Sequence, residues 1–263
     1  MAFFLFQEAT VAQYDTTFHY TGAIRTLGLK KDGLPHYFWN QYNLEGELVE
    51  SKLYNYGRVI RKISYYPSGQ KKLQINYRDN ESLEISTEIK EGKLIGWSKT
   101  GLIIHESNYT SNVLDGSIKE WHENGMKKTE GTYKKGKRVG PWKEWHPNSN
   151  LKLAGVYDTK GEKEGLWYYF TEEEEILLKV DFNMATREKI IQFTYYYSNG
   201  KGKKQGYYRY DKTIYENMGT IEFIVWREKP YRPDGKWTYW HLDGSLEKEV
   251  IFDFGRIIDQ TDY

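Results

Sequence analysis

The chain has 263 residues, with 38 basic against 37 acidic side chains, so a net charge of +1 gives no global field towards nucleic acid or anionic membrane. It has no Cys, which excludes disulfides, zinc thiolates and thiol nucleophiles. Its 24 Tyr, 11 Phe and 9 Trp, with 24 Gly against 6 Pro, point to half-buried pleated strands joined by frequent turns.

The first element in chain order is a short apolar segment over 1–12, with Ala2-Phe3-Phe4-Leu5-Phe6 at its centre. Two readings stay open. In one the segment packs on the element that follows, and the chain is cytoplasmic. In the other it is what remains of a signal peptide, since Thr10-Val11-Ala12 has the small-residue look of a cleavage site, and the chain is exported to the periplasm or cell envelope. No later stretch approaches the roughly 18 apolar residues of a membrane-spanning helix.

From residue 13 to 263 the sequence repeats. Gly116-Ser-Ile-Lys-Glu-Trp121-His-Glu-Asn-Gly125 and Gly235-Lys-Trp237-Thr-Tyr-Trp240-His-Leu-Asp-Gly244 share one pattern. With the first Gly at zero, an aromatic falls at plus five, a Gly at plus nine and an aromatic at plus seventeen. Units of roughly 24 residues start near 13, 37, 60, 92, 116, 140, 165, 191, 210 and 235. The plus-seventeen residues from the second unit on include Tyr54, Tyr77, Tyr109, Tyr133, Tyr157, Phe182, Tyr208 and Phe252, while the first unit has Lys30 there. The step from 60 to 92 is longer than the rest and predicts an extended hairpin around 81–91. The unit near 210–232 is degenerate.

Each unit predicts two antiparallel strands. Ile176, Leu178, Val180 and Phe182 alternate with Leu177, Lys179 and Asp181, a period of two. Asn124-Gly125, Asn199-Gly200 and Asp243-Gly244 supply tight turns between strands. No unit can bury its apolar face alone, so neighbours must stack. The expected fold is all-β: an elongated, single-layer antiparallel meander of about ten β-hairpin repeats.

The candidate contact residues are Trp142, Trp167 and Trp237, at plus two. Plus two and plus five differ in parity and face opposite ways in a regular strand. The plus-five ring recurs in every unit, as a packing position should, so the plus-two indoles are expected to stand outward and meet a partner. That surface is placed on the central units, between about 92 and 182, where the repeat spacing is most regular.

His122, His146 and His241 share one repeat position. Equivalent residues of successive units lie about 10 Å apart, too far to share a metal, so a turn His bonded to backbone is expected and no metal site. Gly136-Lys-Arg-Val-Gly140 and Gly200-Lys-Gly-Lys-Lys-Gln-Gly206 lack the Gly-Lys-[Ser/Thr] of a phosphate loop and read as turns. No nucleophile, base and orienting group assemble, so neither enzymatic activity nor a cofactor is expected. Tyr195–Lys212 interleaves aromatics with Lys201, Lys203, Lys204 and Arg209, a candidate basic patch.

The passage Asp115–Glu144, with Asn124-Gly125 and Tyr133-Lys134-Lys135-Gly136-Lys137, resembles the bacterial variant of the MORN repeat. Proteins with this repeat are often labelled YwqK-like antitoxins. The resemblance implies a β-hairpin array that binds a protein partner, a toxin among the options, in an antitoxin- or immunity-like role. Two alternatives accompany it. One is a structural protein of the cell envelope or a binder of acidic lipid at a membrane surface. The other is weak binding of single-stranded nucleic acid through Tyr195–Lys212.

Overall fold

The computed structural model describes residues 12–80, 87–182, 190–210 and 231–263. The expectations for the apolar segment up to residue 11, for 81–86 of the extended hairpin and for most of the degenerate unit fall outside these residues. Among the described residues the protein is all-β, with nineteen strands and no helix.

The chain divides into two units. The first comprises residues up to Met126 with Tyr133–Gly136, and the second Lys127–Thr132 with Lys137–Tyr263. In the first unit, β1 (Gln13–Phe18), β2 (Ile24–Lys31), β3 (Leu34–Tyr42), β4 (Leu48–Asn55), β5 (Arg58–Tyr65), β6 (Lys71–Tyr77), β7 (Lys90–Trp97), β8 (Ile103–Thr110) and β9 (Val113–Trp121) form an antiparallel meander, each pairing with the next. The division falls within β10 (Lys127–Lys134). In the second unit the meander runs through β11 (Lys137–Trp145), β12 (Leu151–Tyr157), β13 (Lys163–Phe170), β14 (Ile176–Asp181), β15 (Ile190–Tyr196), β16 (Gly202–Tyr210), β17 (Tyr231–Trp240), β18 (Leu246–Asp253) and β19 (Arg256–Asp262). Every described repeat is therefore one hairpin, as the spacing predicts.

The turn inside each hairpin is built the same way. The plus-six amide donates to the plus-ten carbonyl, and the plus-nine amide returns to the plus-six carbonyl, as in His122/Met126 and Gly125/His122, both at 2.8 Å. Plus nine must adopt a positive φ, 83° at Gly125, where glycine has no Cβ to clash. Ser149 (73°) and Glu174 (65°) hold the same conformation without that freedom, so the turn geometry comes from the hairpin and not from glycine alone. Acidic Glu172–Glu175 lies in such a turn, closed by Thr171 N donating to Glu175 O at 2.9 Å.

A register slip recurs between plus four and plus five, at Gln41/Tyr42, Ser64/Tyr65, Gly96/Trp97, Glu144/Trp145, Tyr169/Phe170, Tyr195/Tyr196 and Tyr239/Trp240. A bulge at that point breaks the ladder just before the turn and increases the local twist.

Candidate functional site

One face of each meander carries a row made of the plus-two and plus-fifteen residues, paired directly across strands. In the second unit Trp142 faces Gly155, Trp167 faces Val180, Phe193 faces Gly206 and Trp237 faces Val250. The indoles of Trp142, Trp167 and Trp237 are only 2%, 1% and 1% exposed.

This corrects the expectation that these three stand outward. Each ring lies over a glycine of the preceding strand. A Cβ on Gly131 would fall 2.1 Å from the Trp142 ring, one on Gly155 2.1 Å from Trp167, and one on Gly206 2.2 Å from Trp237. The missing side chain makes the space the indole fills. The indole N–H groups are satisfied as well. Trp167 Nε1 donates to Val156 O at 3.1 Å, Trp237 Nε1 to Tyr207 O at 2.9 Å and Trp142 Nε1 to Glu144 Oε1 at 3.2 Å. The plus-five rings Trp121, Trp145 and Trp240 stay half-buried. The two sets do differ in facing, but the roles are exchanged: plus two packs.

The plus-seventeen rings join the same face. Trp142, Tyr157, Trp167 and Phe182 run edge to face with centroids 5.8, 4.9 and 6.4 Å apart. Phe193, Tyr208, Trp237 and Phe252 repeat the pattern at 4.8, 4.8 and 6.4 Å. Such contacts add about 0.5–1.5 kcal/mol each beyond area burial. Cations cap the ladder: Arg138 stands 4.5 Å from the Trp142 centroid and Lys163 4.4 Å from that of Trp167. Of the plus-seventeen rings, Tyr157 is buried, while Phe182 and Phe252 are half-buried. In this setting burial pushes the hydroxyls of Tyr169 and Tyr208 far above the ordinary tyrosine range.

The candidate basic patch is dispersed. Lys204 is half-buried, 4.6 Å from the Tyr195 ring centroid and 5.6 Å from that of Trp237, and burial lowers its pKa, helped by repulsion from Lys203. Arg209 pairs with Asp234 at 2.7 Å. Lys201 donates to Asp243 O at 2.6 Å, and Lys203 sits 5.5 Å from the Tyr197 ring. Strand alternation places Tyr195, Lys204 and Tyr208 on the ladder face and Tyr196 and Tyr207 on the other, so the segment offers no single aromatic track.

The repeated plus-six residues reach the neighbouring hairpin. His19 Nε2 meets Tyr42 O at 2.9 Å and His146 Nε2 meets Phe170 O at 3.1 Å; Tyr66 and Tyr197 donate to Trp97 O and Trp240 O, both at 2.9 Å. Backbone bonding by the turn His, expected from the spacing for His122, His146 and His241, holds for His146, and His19 makes the same kind of bond. Among the described residues no three His, Asp or Glu gather at metal-binding range.

In the first unit the same row reads Asp15, Gly28, Trp39, Lys52, Lys62, Ile75, Leu94, Ser107 and Ile118, each facing the next across paired strands. After Asp15 it makes the same exchange as the second unit, since a Cβ on Gly28 would fall 2.2 Å from Trp39. Then it is interrupted by two lysines placed directly opposite one another. Like charges in that relation repel. Glu50 answers them, with one oxygen 2.7 Å from Lys62 Nζ and the other 3.6 Å from Lys52 Nζ. Glu88, from the residues between β6 and β7, adds a carboxylate 4.0 Å from Lys52 Nζ. Tyr54 and Tyr77 border the cluster. Burial, then the negative charge of Glu88, raises both hydroxyls, Tyr77 to about 12. Nothing in the sequence marks this cluster, because two lysines ten positions apart look like surface until the β4–β5 register sets them face to face.

Three stretches of the chain, 61–79, 114–135 and 233–253, match the family described as MORN repeat variant. No curated protein matches. Among solved structures, the chain is similar to the TcdB2-TccC3-TEV crystal structure at 12% identity, covering 96% of this chain and 15% of that one, with a TM-score of 0.21. It is also similar to TcdB2-TccC3 at 13% identity, covering 95% and 18%, with a TM-score of 0.18, and to TcdB2-TccC3-Cdc42 at 14%, covering 95% and 18%, also at 0.18. The chain thus spans less than a fifth of each of these much longer chains.

Proposed function

We propose that the chain is a non-enzymatic, protein-binding repeat module, with its contact surface on the face that carries the plus-five aromatics. The observation behind this is the exchange of roles between the two ring sets. The plus-two indoles are consumed in packing, and the half-buried plus-five rings are what remains for contact. In the second unit Trp145 and Phe170 are half-buried, Val156 and Leu166 are exposed further along the same strands, and Tyr168 stacks with Phe170 at 6.4 Å. Half-exposed aromatics on a rigid sheet have the chemistry of interface anchors, because little entropy is lost when they are covered. The MORN-variant matches support a repeat-based binding module. The antitoxin- or immunity-like role, with a cognate toxin as partner, is the specific form we favour from the resemblance.

The test is a W145A/F170A double substitution assayed by pull-down from native lysate, with the melting temperature followed in parallel. Loss of a specific captured protein with the fold retained supports the reading. Full capture by the folded variant rejects this surface. Co-sedimentation with acidic liposomes that collapses as salt rises would favour the membrane alternative instead.

A further inference from the structure

We propose that the Lys52–Lys62 pair is a receptor for an acidic side chain of a partner polypeptide, and that Glu88 occupies it as a built-in stand-in. The proposal is independent of the plus-five surface.

Two lysines stand directly opposite one another in a row whose other described positions, apart from Asp15 at one end and Gln260 at the other, hold Gly, Ser, aliphatic and aromatic residues. That juxtaposition carries a repulsive cost that only nearby negative charge offsets. Glu50 meets Lys62 at 2.7 Å but reaches Lys52 only at 3.6 Å, so Lys52 is the less satisfied of the two. Its second anion, Glu88, is the longest contact of the cluster at 4.0 Å and its most exposed member, at 37%. Lys52 and Lys62 are themselves 29% and 33% exposed, so an incoming group can reach both.

The ligand class follows from the stand-in. Glu88 is a carboxylate placed beside the Lys52 ammonium, and an incoming carboxylate would meet the same cation. Thr87–Ile89 has no regular secondary structure, so Glu88 is presented by an irregular polypeptide segment. A partner segment carrying Glu or Asp would repeat that contact. The open sheet face suits a side chain anchored by its own backbone better than a small free acid, which would gain little from one exposed ion pair.

The experiment measures binding of a fluorescent hexaglutamate peptide to the full chain by anisotropy, at low salt. Removing the stand-in with Glu88→Gln should tighten binding roughly two- to fivefold, the equivalent of one partly exposed ion pair. The K52Q/K62Q double substitution should abolish the peptide signal, and Lys52→Gln alone should weaken it. Circular dichroism and melting curves establish that each variant is folded, and the single lysine variant keeps the test decisive if the double one is not. Inorganic phosphate and free glutamate serve as competitors. Unchanged affinity in E88Q, retained binding in folded K52Q/K62Q, or no hexaglutamate binding to either wild type or E88Q would each overturn the proposal. Competition by free glutamate as effective, residue for residue, as by the peptide would overturn its polypeptide character.

Discussion

The plus-two and plus-fifteen row is built in both units, and the contrast between them shows what the repeat frame controls. In the second unit, volume is exchanged across the strands: Gly131, Gly155 and Gly206 sit beneath Trp142, Trp167 and Trp237, and Val180 faces Phe193. In the first unit the row runs from Asp15 through the same Gly28–Trp39 exchange and then carries Lys52 and Lys62 at equivalent positions. Backbone register is common to both. What changes is whether the row is closed by rings or held by ion pairs. A β-meander gives each unit one stripe of side chains that must be made compatible, and packing or charge neutralisation can each do this. The first makes a rigid core; the second leaves groups that can exchange partners.

The comparison is tested most severely by removing one member from each version. Trp167→Ala empties a site that is almost fully buried and should cost about 3–5 kcal/mol. Lys62→Ala removes one half-exposed ion pair and should cost no more than about 1 kcal/mol. Urea denaturation of both variants gives the difference directly. Equal losses would mean that the charged cluster is as much a part of the core as the indole.

Next in size is the volume rule itself. Gly155→Val pushes a side chain into the Trp167 ring and should cost about 1–3 kcal/mol by overpacking. Adding Trp167→Phe recreates the Val180–Phe193 pairing found on the next strands and should recover much of that loss, read as a favourable coupling in a double-mutant cycle. Additive losses would show that Gly155 matters for its backbone and not for the room it leaves.

A smaller effect is expected where apolar chemistry is moved into the charged cluster. K52I/K62L copies the neighbouring Ile75–Leu94 pair. Lost half-exposed ion pairs and gained apolar contact nearly cancel, so stability should change by about 1 kcal/mol or less. A loss as large as that of Trp167→Ala would contradict the exchangeable character of the cluster.

Much of this fold is legible in the sequence. The repeat period, the hairpin turns and the plus-seventeen ring all follow from recurring Gly and aromatic residues, and strand alternation correctly separates plus two from plus five. Which set packs does not follow from recurrence. A plus-two Trp is buried because the preceding strand has Gly at plus fifteen, and that complementarity exists only once the strands are paired. The same holds for Lys52 and Lys62, since each is an ordinary exposed-looking lysine until the β4–β5 register joins them. Properties of one residue type at one repeat position are readable from the chain, whereas pairwise compensation requires the register.

The smallest expected effect is also the most local. Tyr77 has its hydroxyl raised to about 12 by burial and by the nearby Glu88 carboxylate. An unperturbed tyrosine ionises near pH 10. Since the folded state holds the proton more tightly, this group's contribution to stability is fully present below about pH 10 and is lost as pH rises towards 12. Ultraviolet difference titration of wild type against Tyr77→Phe isolates its ionisation. Glu88→Gln should move that midpoint down, because a neutral amide no longer repels the phenolate. Burial alone should still hold it above pH 10, since burial is the largest cause of the shift. A midpoint indifferent to Glu88→Gln would place the Glu88 side chain away from Tyr77 in solution. That would remove the stand-in from the first unit's cluster and leave Lys52 and Lys62 to Glu50 alone.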